Sequence, residues 1–317
     1  MKINPIAPRY FSNVNSNLRK MINDTSSCDT FIKSNPISFR GLNEGDKKKV
    51  KYFINDLYKA FYIKDDTSLE TIKKTVRKYD RDLDVKLIGE YPEEPPQGMV
   101  AFYTYNNRLD KEKGVIVRSG PTIYIDDDAP CFDQKLSFFV STVHEFTHAI
   151  QNATKEYSKA SFETRYFDCH KDNIQNAFKN LSMASDASRI FEMDFDDLIY
   201  ASGQAIRISS NEPYGKALDK IAVMRGYSDS ESYIKSSVNR FFKYGDDAGI
   251  KLDKKLILEY SALHLEHESE AYEVSKTCFA KAMENSPKRV NIMYQSGLQA
   301  ELFNRASGIL RQMAKKY

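Results

Sequence analysis

The sequence has no long apolar run: nowhere do about 18 hydrophobic residues follow one another, the length a membrane-crossing helix needs. Its first twenty residues, MKINPIAPRYFSNVNSNLRK, lack the apolar stretch of about 7–15 residues that marks a secretory signal. The chain is therefore expected to be cytoplasmic, or exported by a route that needs no signal peptide. Cysteine is scarce. Cys28, Cys131, Cys169 and Cys278 stand far apart with no C-x-x-C pair. That excludes a dense disulfide framework and reads as reduced thiols. Charge of either sign barely predominates: 47 basic and 44 acidic residues leave a formal +3. So small a surplus argues against a dedicated nucleic-acid binder, which presents a strongly basic face.

What the 317 residues do contain is enough apolar matter for one large domain or two ordinary ones. Residues 1–44 are rich in Asn, Ser, Lys and Pro and show no sustained periodicity, so they read as a disordered tail. From residue 45 onward the pattern is that of a folded domain. A first helix is expected from Val50 to Tyr62. A second runs from Leu69 to Tyr79, with Leu69, Ile72 and Val76 three or four apart. Short strand-like runs follow: Val85–Ile88, Met99–Tyr105, Val115–Val117 and Thr122–Ile125. Turn residues such as Asn106-Asn107 and Gly120-Pro121 separate them, which favours a small, mainly antiparallel sheet. Beyond Pro130 the chain reads as helical, near 134–153, 160–182, 214–226, 229–244, 253–284 and 290–315. The expected fold class is α+β, with a sheet-bearing half (45–155) and a helical half (156–317).

Within the helix expected at 134–153 stands His144-Glu145-Phe146-Thr147-His148. Residues i and i+4 of a helix lie one above the other, so both imidazoles point to the same side. They can then reach one Zn²⁺ at roughly 2.0–2.1 Å each. Glu145 sits about 100° around the helix and can reach a zinc-bound water without ligating the metal. Leu136, Phe139, Val140, Val143, Phe146 and Ile150 give the helix an apolar face that would hold the ligands rigidly, and Asp133 is placed to cap it. A sheet edge near this helix would suit pairing with an extended peptide.

The third ligand is sought in His264-Leu265-Glu266-His267-Glu268-Ser269-Glu270. Glu266 and Glu270 line up with Glu259, Glu273 and Thr277 on a side expected to be solvated. Glu268 falls on the flank nearer the apolar face. It is the favoured ligand, with His264 and His267 as competitors.

The pair His144-Glu145-x-x-His148 and Glu268-x-x-Ala271 resembles the gluzincin group of zinc metallopeptidases. The likeness covers the two metal helices and the strand before the first. It implies a zincin-like fold, a peptide or protein substrate and zinc held by His144, His148 and Glu268. Glu145 would be the general base that activates the metal's water. A carboxylate common in that group four residues after the glutamate is Tyr272 here. A phenol is no anionic acceptor, so a ligand histidine must be oriented by something else. Tyr260, Tyr272, His264 and His267 are candidates to stabilise the oxyanion. Two other readings stand beside this one. One is an exported effector protease with a single protein target. The other is a decayed zincin scaffold that serves as a binding module, and an intact Glu145 weighs against it. Asp126-Asp127-Asp128 lacks the spacing of a calcium loop, and Cys169-His170 are adjacent on a helix and so diverge.

Overall fold

Leu42 is buried and Asn43 already caps a helix, so folded chain begins before the change in composition at residue 45. The fold is taken from a computed structural model, which describes residues 42–92, 100–105, 107–118, 120–128, 134–153, 158–200, 212–284 and 289–317. The tail as far as residue 41, Asp133, Cys28 and Cys131 lie outside the described residues.

Helix α1 spans Glu44–Tyr58. The Asn43 side chain accepts the Asp46 N–H at 2.9 Å, and Glu44 and Asp46 sit in the first turn, where acidic groups suit the helix dipole. Val50, Phe53, Ile54 and Leu57 form its buried stripe. The helix runs on into a single π turn, Lys59–Ile63. Helix α2, Leu69–Tyr79, has the bounds its periodicity predicts; the Ser68 hydroxyl caps it and Ile72 and Val76 are buried.

Among the described residues five strands follow: β1 Asp84–Leu87, β2 Ala101–Thr104, β3 Asn107–Asp110, β4 Val115–Arg118 and β5 Thr122–Ile125. They form two sheets, one ordered β1-β5-β2 and one a β3-β4 pair. β1 runs parallel to β5, with Val85 opposite Ile123. β2 runs antiparallel to it, with Phe102 opposite Tyr124. The main sheet is thus mixed, because β1 and β5 are separated by the β2–β4 excursion and need not reverse. Residues 122–125 are buried throughout, as befits a central strand. β3 is a strand the sequence reading passed over, since Asn106-Asn107 looked like a turn. Its hairpin closes at Gly114, whose φ of 63° lies in the left-handed region that glycine adopts without strain.

The rest is helical: α3 Gln134–Ala153, α4 Lys159–Cys169, α5 Ile174–Tyr200, α6 Tyr214–Met224, α7 Ser230–Asp247, α8 Lys254–Ala282 and α9 Arg289–Ala314. The single helix expected over 160–182 is two helices. Backbone at His170 leaves the helical region, a 3-10 turn covers Lys171–Asn173, and the Asn173 side chain accepts the Asn176 N–H at the start of α5. Apolar positions resume nearly in phase across this break, from Phe162, Tyr166 and Phe167 to Ala177 and Leu181. That is why periodicity alone does not see it. Among the described residues no helix is long and apolar enough to cross a membrane.

Two cores result. One joins α1, α2, the main sheet and α3. The other joins α4 to α9. Helix α8 belongs to both. Leu256, Ile257, Tyr260, Leu263 and Leu265 pack in the helical core, while Val274 and Cys278 pack in the first. Glu268 sits on the stretch between.

Candidate metal centre

Helix α3 is fixed by its apolar face. Phe139, Val143, Phe146 and Ile150 are fully buried, and the Phe146 ring stacks on Phe53 of α1 with centroids 3.8 Å apart. This leaves His144 and His148 side by side, ring centroids 4.8 Å apart, turned towards α8. Both meet Glu268. His144 Nε2 lies 3.3 Å from Glu268 Oε2, and His148 Nε2 lies 3.2 Å from Glu268 Oε1. A tetrahedral ion with bonds of about 2.0–2.1 Å separates its ligand atoms by roughly 3.3 Å. The donor atoms of His144, His148 and Glu268 are therefore spaced to hold a metal ion.

The protons argue the same way. Ser275 Oγ gives its one hydrogen to the Ala271 carbonyl at 2.9 Å, so at 3.1 Å it must accept from His144 Nδ1. Gln151 Nε2 donates to the His267 carbonyl and to Glu270 Oε2, both at 3.0 Å. That fixes the amide with Oε1 towards His148 Nδ1 at 2.9 Å, again as acceptor. Each ring thus carries its hydrogen on Nδ1 and turns Nε2 to the carboxylate. Only added protons or a cation can satisfy two bare imidazole nitrogens and a carboxylate so placed. Burial raises the Glu268 carboxyl; once added protons make both Nε2 atoms donors, the charge of His148 and the hydrogen bonds from both histidines outweigh it and hold the carboxyl well below the ordinary range.

Glu145 stands apart from the three. One of its oxygens accepts the backbone N–H of Tyr103 at 2.7 Å. Tyr103 belongs to β2, an edge strand of the main sheet, so the edge beside this helix is β2, while the strand that precedes the motif, β5, is central. Burial pushes the Glu145 carboxyl up to about 7, with the nearby His144 charge opposing and Glu268 adding to the rise. A carboxyl in that range can both take and give a proton near neutral pH.

The competitors for the third ligand take other places. His267 is buried and its carbonyl serves Gln151. His264 Nε2 lies 2.7 Å from Glu192, and its Nδ1 meets the Lys159 ammonium. Glu192, His264 and Glu268 make a second group with metal-ligand spacing. There, however, the Lys159 ammonium already supplies a cation next to the imidazole. Burial and the Lys159 charge both hold His264 below its ordinary pKa, which keeps the ring neutral between donor and acceptor. Tyr260 gives its hydroxyl to Glu163 at 2.7 Å, and Tyr272 sets its ring edge-on to His144, centroids 5.0 Å apart. Glu270 departs from expectation. It is not on a solvated side but bonds Gln151 and the Leu42 N–H. Glu266 is likewise drawn in, paired with Arg311. Cys169 is exposed at the end of α4, and His170 Nδ1 turns back to the Tyr166 carbonyl at 2.8 Å. Asp126 accepts the Asp128 N–H, an ordinary turn contact.

The sequence reading missed Gln151, Ser275 and Glu192. The first two were within reach. Gln151 lies three residues past His148 and Ser275 seven past Glu268, both on the same helix face as the ligand. Comparison with family models, curated proteins and solved structures gives no match.

Proposed function

We propose that this chain is a zinc-dependent peptidase with a zincin-like site, in which His144, His148 and Glu268 hold the metal and Glu145 is the general base. The observation that carries it is the convergence of two imidazole Nε2 atoms on one carboxylate at 3.2–3.3 Å, with a further glutamate on the same helix held clear of the metal position. Two His and one Glu suit zinc and leave coordination places for water and substrate. A zinc ion held there supplies a Lewis-acidic centre that polarises a carbonyl and acidifies water. Glu145 accepts the proton of the attacking water and later gives it to the leaving amine. The N–H of Tyr103 keeps the Glu145 carboxylate aimed. The β2 edge beside it suits an extended peptide backbone, which favours a peptide substrate.

Metal analysis and a peptide-library digest test this together. Wild type and Glu145→Gln should each carry about one zinc, and His144→Ala, His148→Ala and Glu268→Ala none. Wild-type cleavage should stop on chelation and fall about 10²–10⁴-fold in Glu145→Gln. Wild type that binds no metal would sink the proposal. Equal cleavage by wild type and Glu145→Gln would remove Glu145 from its role.

A further inference from the structure

We infer that Gln151 and Glu270 are positioning residues for the ligand His148, and that they tie the metal position to the backbone at Leu42. This rests on the metal-site proposal above.

The links form one line. The Leu42 N–H donates to Glu270 Oε1 at 2.6 Å. Glu270 Oε2 accepts from Gln151 Nε2 at 3.0 Å. Gln151 Oε1 accepts from His148 Nδ1 at 2.9 Å. Three segments far apart in sequence are joined: the residue before the α1 cap, helix α3 and helix α8. The partners are enclosed, with Leu42, Gln151 and His148 all buried. An amide can turn over, and turned over it would offer His148 an N–H where it needs an acceptor. Two acceptors, the Glu270 carboxylate and the His267 carbonyl, hold the Gln151 amide against that flip. The orientation in turn holds the His148 hydrogen on Nδ1 and leaves Nε2 to the metal. Among the described residues the other ligand histidine meets Ser275 at its Nδ1, so the longer line serves His148. At its far end the Leu42 side chain is seated in the core that holds α3. The backbone N–H at 42 and the metal position are thus two ends of one hydrogen-bonded line.

The test measures Zn²⁺ affinity by competition with a chromophoric chelator, alongside the Co²⁺ absorption spectrum. Full-length wild type, Glu270→Gln, Gln151→Ala, Leu42→Pro, Leu42→Ala and the double variant Gln151→Glu/Glu270→Gln are compared. Glu270→Gln leaves one acceptor oxygen for two donors, the Gln151 amide and the Leu42 N–H, so the line breaks at one end or the other, and affinity should drop about 10–100-fold with a changed Co²⁺ spectrum. Gln151→Ala should do the same. Leu42→Pro removes the far N–H together with the buried Leu42 side chain, so it is read against Leu42→Ala, which keeps the N–H; affinity should fall more in Leu42→Pro than in Leu42→Ala and less than in Glu270→Gln. The double variant moves the carboxylate to position 151 and the donor to position 270, so His148 Nδ1 keeps an acceptor while the His267 carbonyl loses its donor, and part of the lost affinity should return. If Glu270→Gln fails to fold, Gln151→Ala and Leu42→Pro carry the decision. Wild-type affinity in Glu270→Gln, Gln151→Ala and Leu42→Pro overturns the inference. So does a loss of affinity in Glu270→Gln with an unchanged Co²⁺ spectrum, since Glu270 would then be only structural. Absence of metal binding by wild type is a separate outcome: it overturns the metal site itself, and the inference falls with it.

Discussion

Glutamates of helix α8 show how far a side chain's fate depends on what faces it. Glu259, Glu266 and Glu270 share a helix side with Glu273, and helical phase alone assigns them all to solvent. Only folding tells them apart. Glu270 meets Leu42, which is 228 residues away, and Glu266 meets Arg311. Neither partner is adjacent in sequence, so neither was legible there. By contrast, the His144–His148 pair was legible because its geometry is local to one helix. Glu259 gives a prediction at this scale. Burial pushes its carboxyl up to about 7, with Lys255 opposing and Asp253 reinforcing. An unperturbed glutamate titrates at 4.5. Between those values the folded state holds more protons than the unfolded one, so this residue's contribution is fully present at low pH and is lost as pH rises to about 7. Glu259→Gln removes that loss. Its unfolding midpoint, relative to wild type, should rise more at about pH 8 than at about pH 5. An equal change at both would show that Glu259 ionises freely in the fold.

Helix α2 was readable end to end because its cap, Ser68, and its apolar spacing agree. Helix α3 was equally plain. Its partners were not: the stacking of Phe146 on Phe53 joins segments that no local pattern connects. The α4–α5 break was hidden by apolar positions that continue in phase, and β3 by an asparagine that reads as a turn. Sheet order was out of reach for a simpler reason, since short strands of four residues carry no sign of which neighbour they pair with. The packing of α3 permits a test at this scale. Phe146 is fully buried between His144 and His148 in sequence, on the opposite side of the helix. Phe146→Ala should cost about 3–5 kcal/mol of stability, the usual range for an emptied aromatic site. Metal affinity should fall too, because the helix that presents both histidines loses its seat. Chemical denaturation and metal titration of the same sample check both. A large stability loss with unchanged affinity would show that the ligand positions survive repacking.

The described residues form two cores meeting along α3 and α8. Both histidines come from the first core, and Glu268 comes from α8 where that helix passes from one core to the other. A metal bound by all three is therefore a cross-link between the cores as well as a reactive centre. Binding to the folded chain alone stabilises it by mass action, about 4 kcal/mol when free metal is about 1,000 times the Kd. The midpoint should rise with added Zn²⁺, fall with chelator, and stop responding in Glu268→Ala. The two-core arrangement adds a spatial expectation. Metal should slow amide hydrogen exchange in α3 and in the central part of α8 together, since each supplies ligands the other lacks. Slowing confined to α3 would mean that the histidines bind without Glu268. In that case the link between the cores, and with it the three-ligand site, would not form in solution.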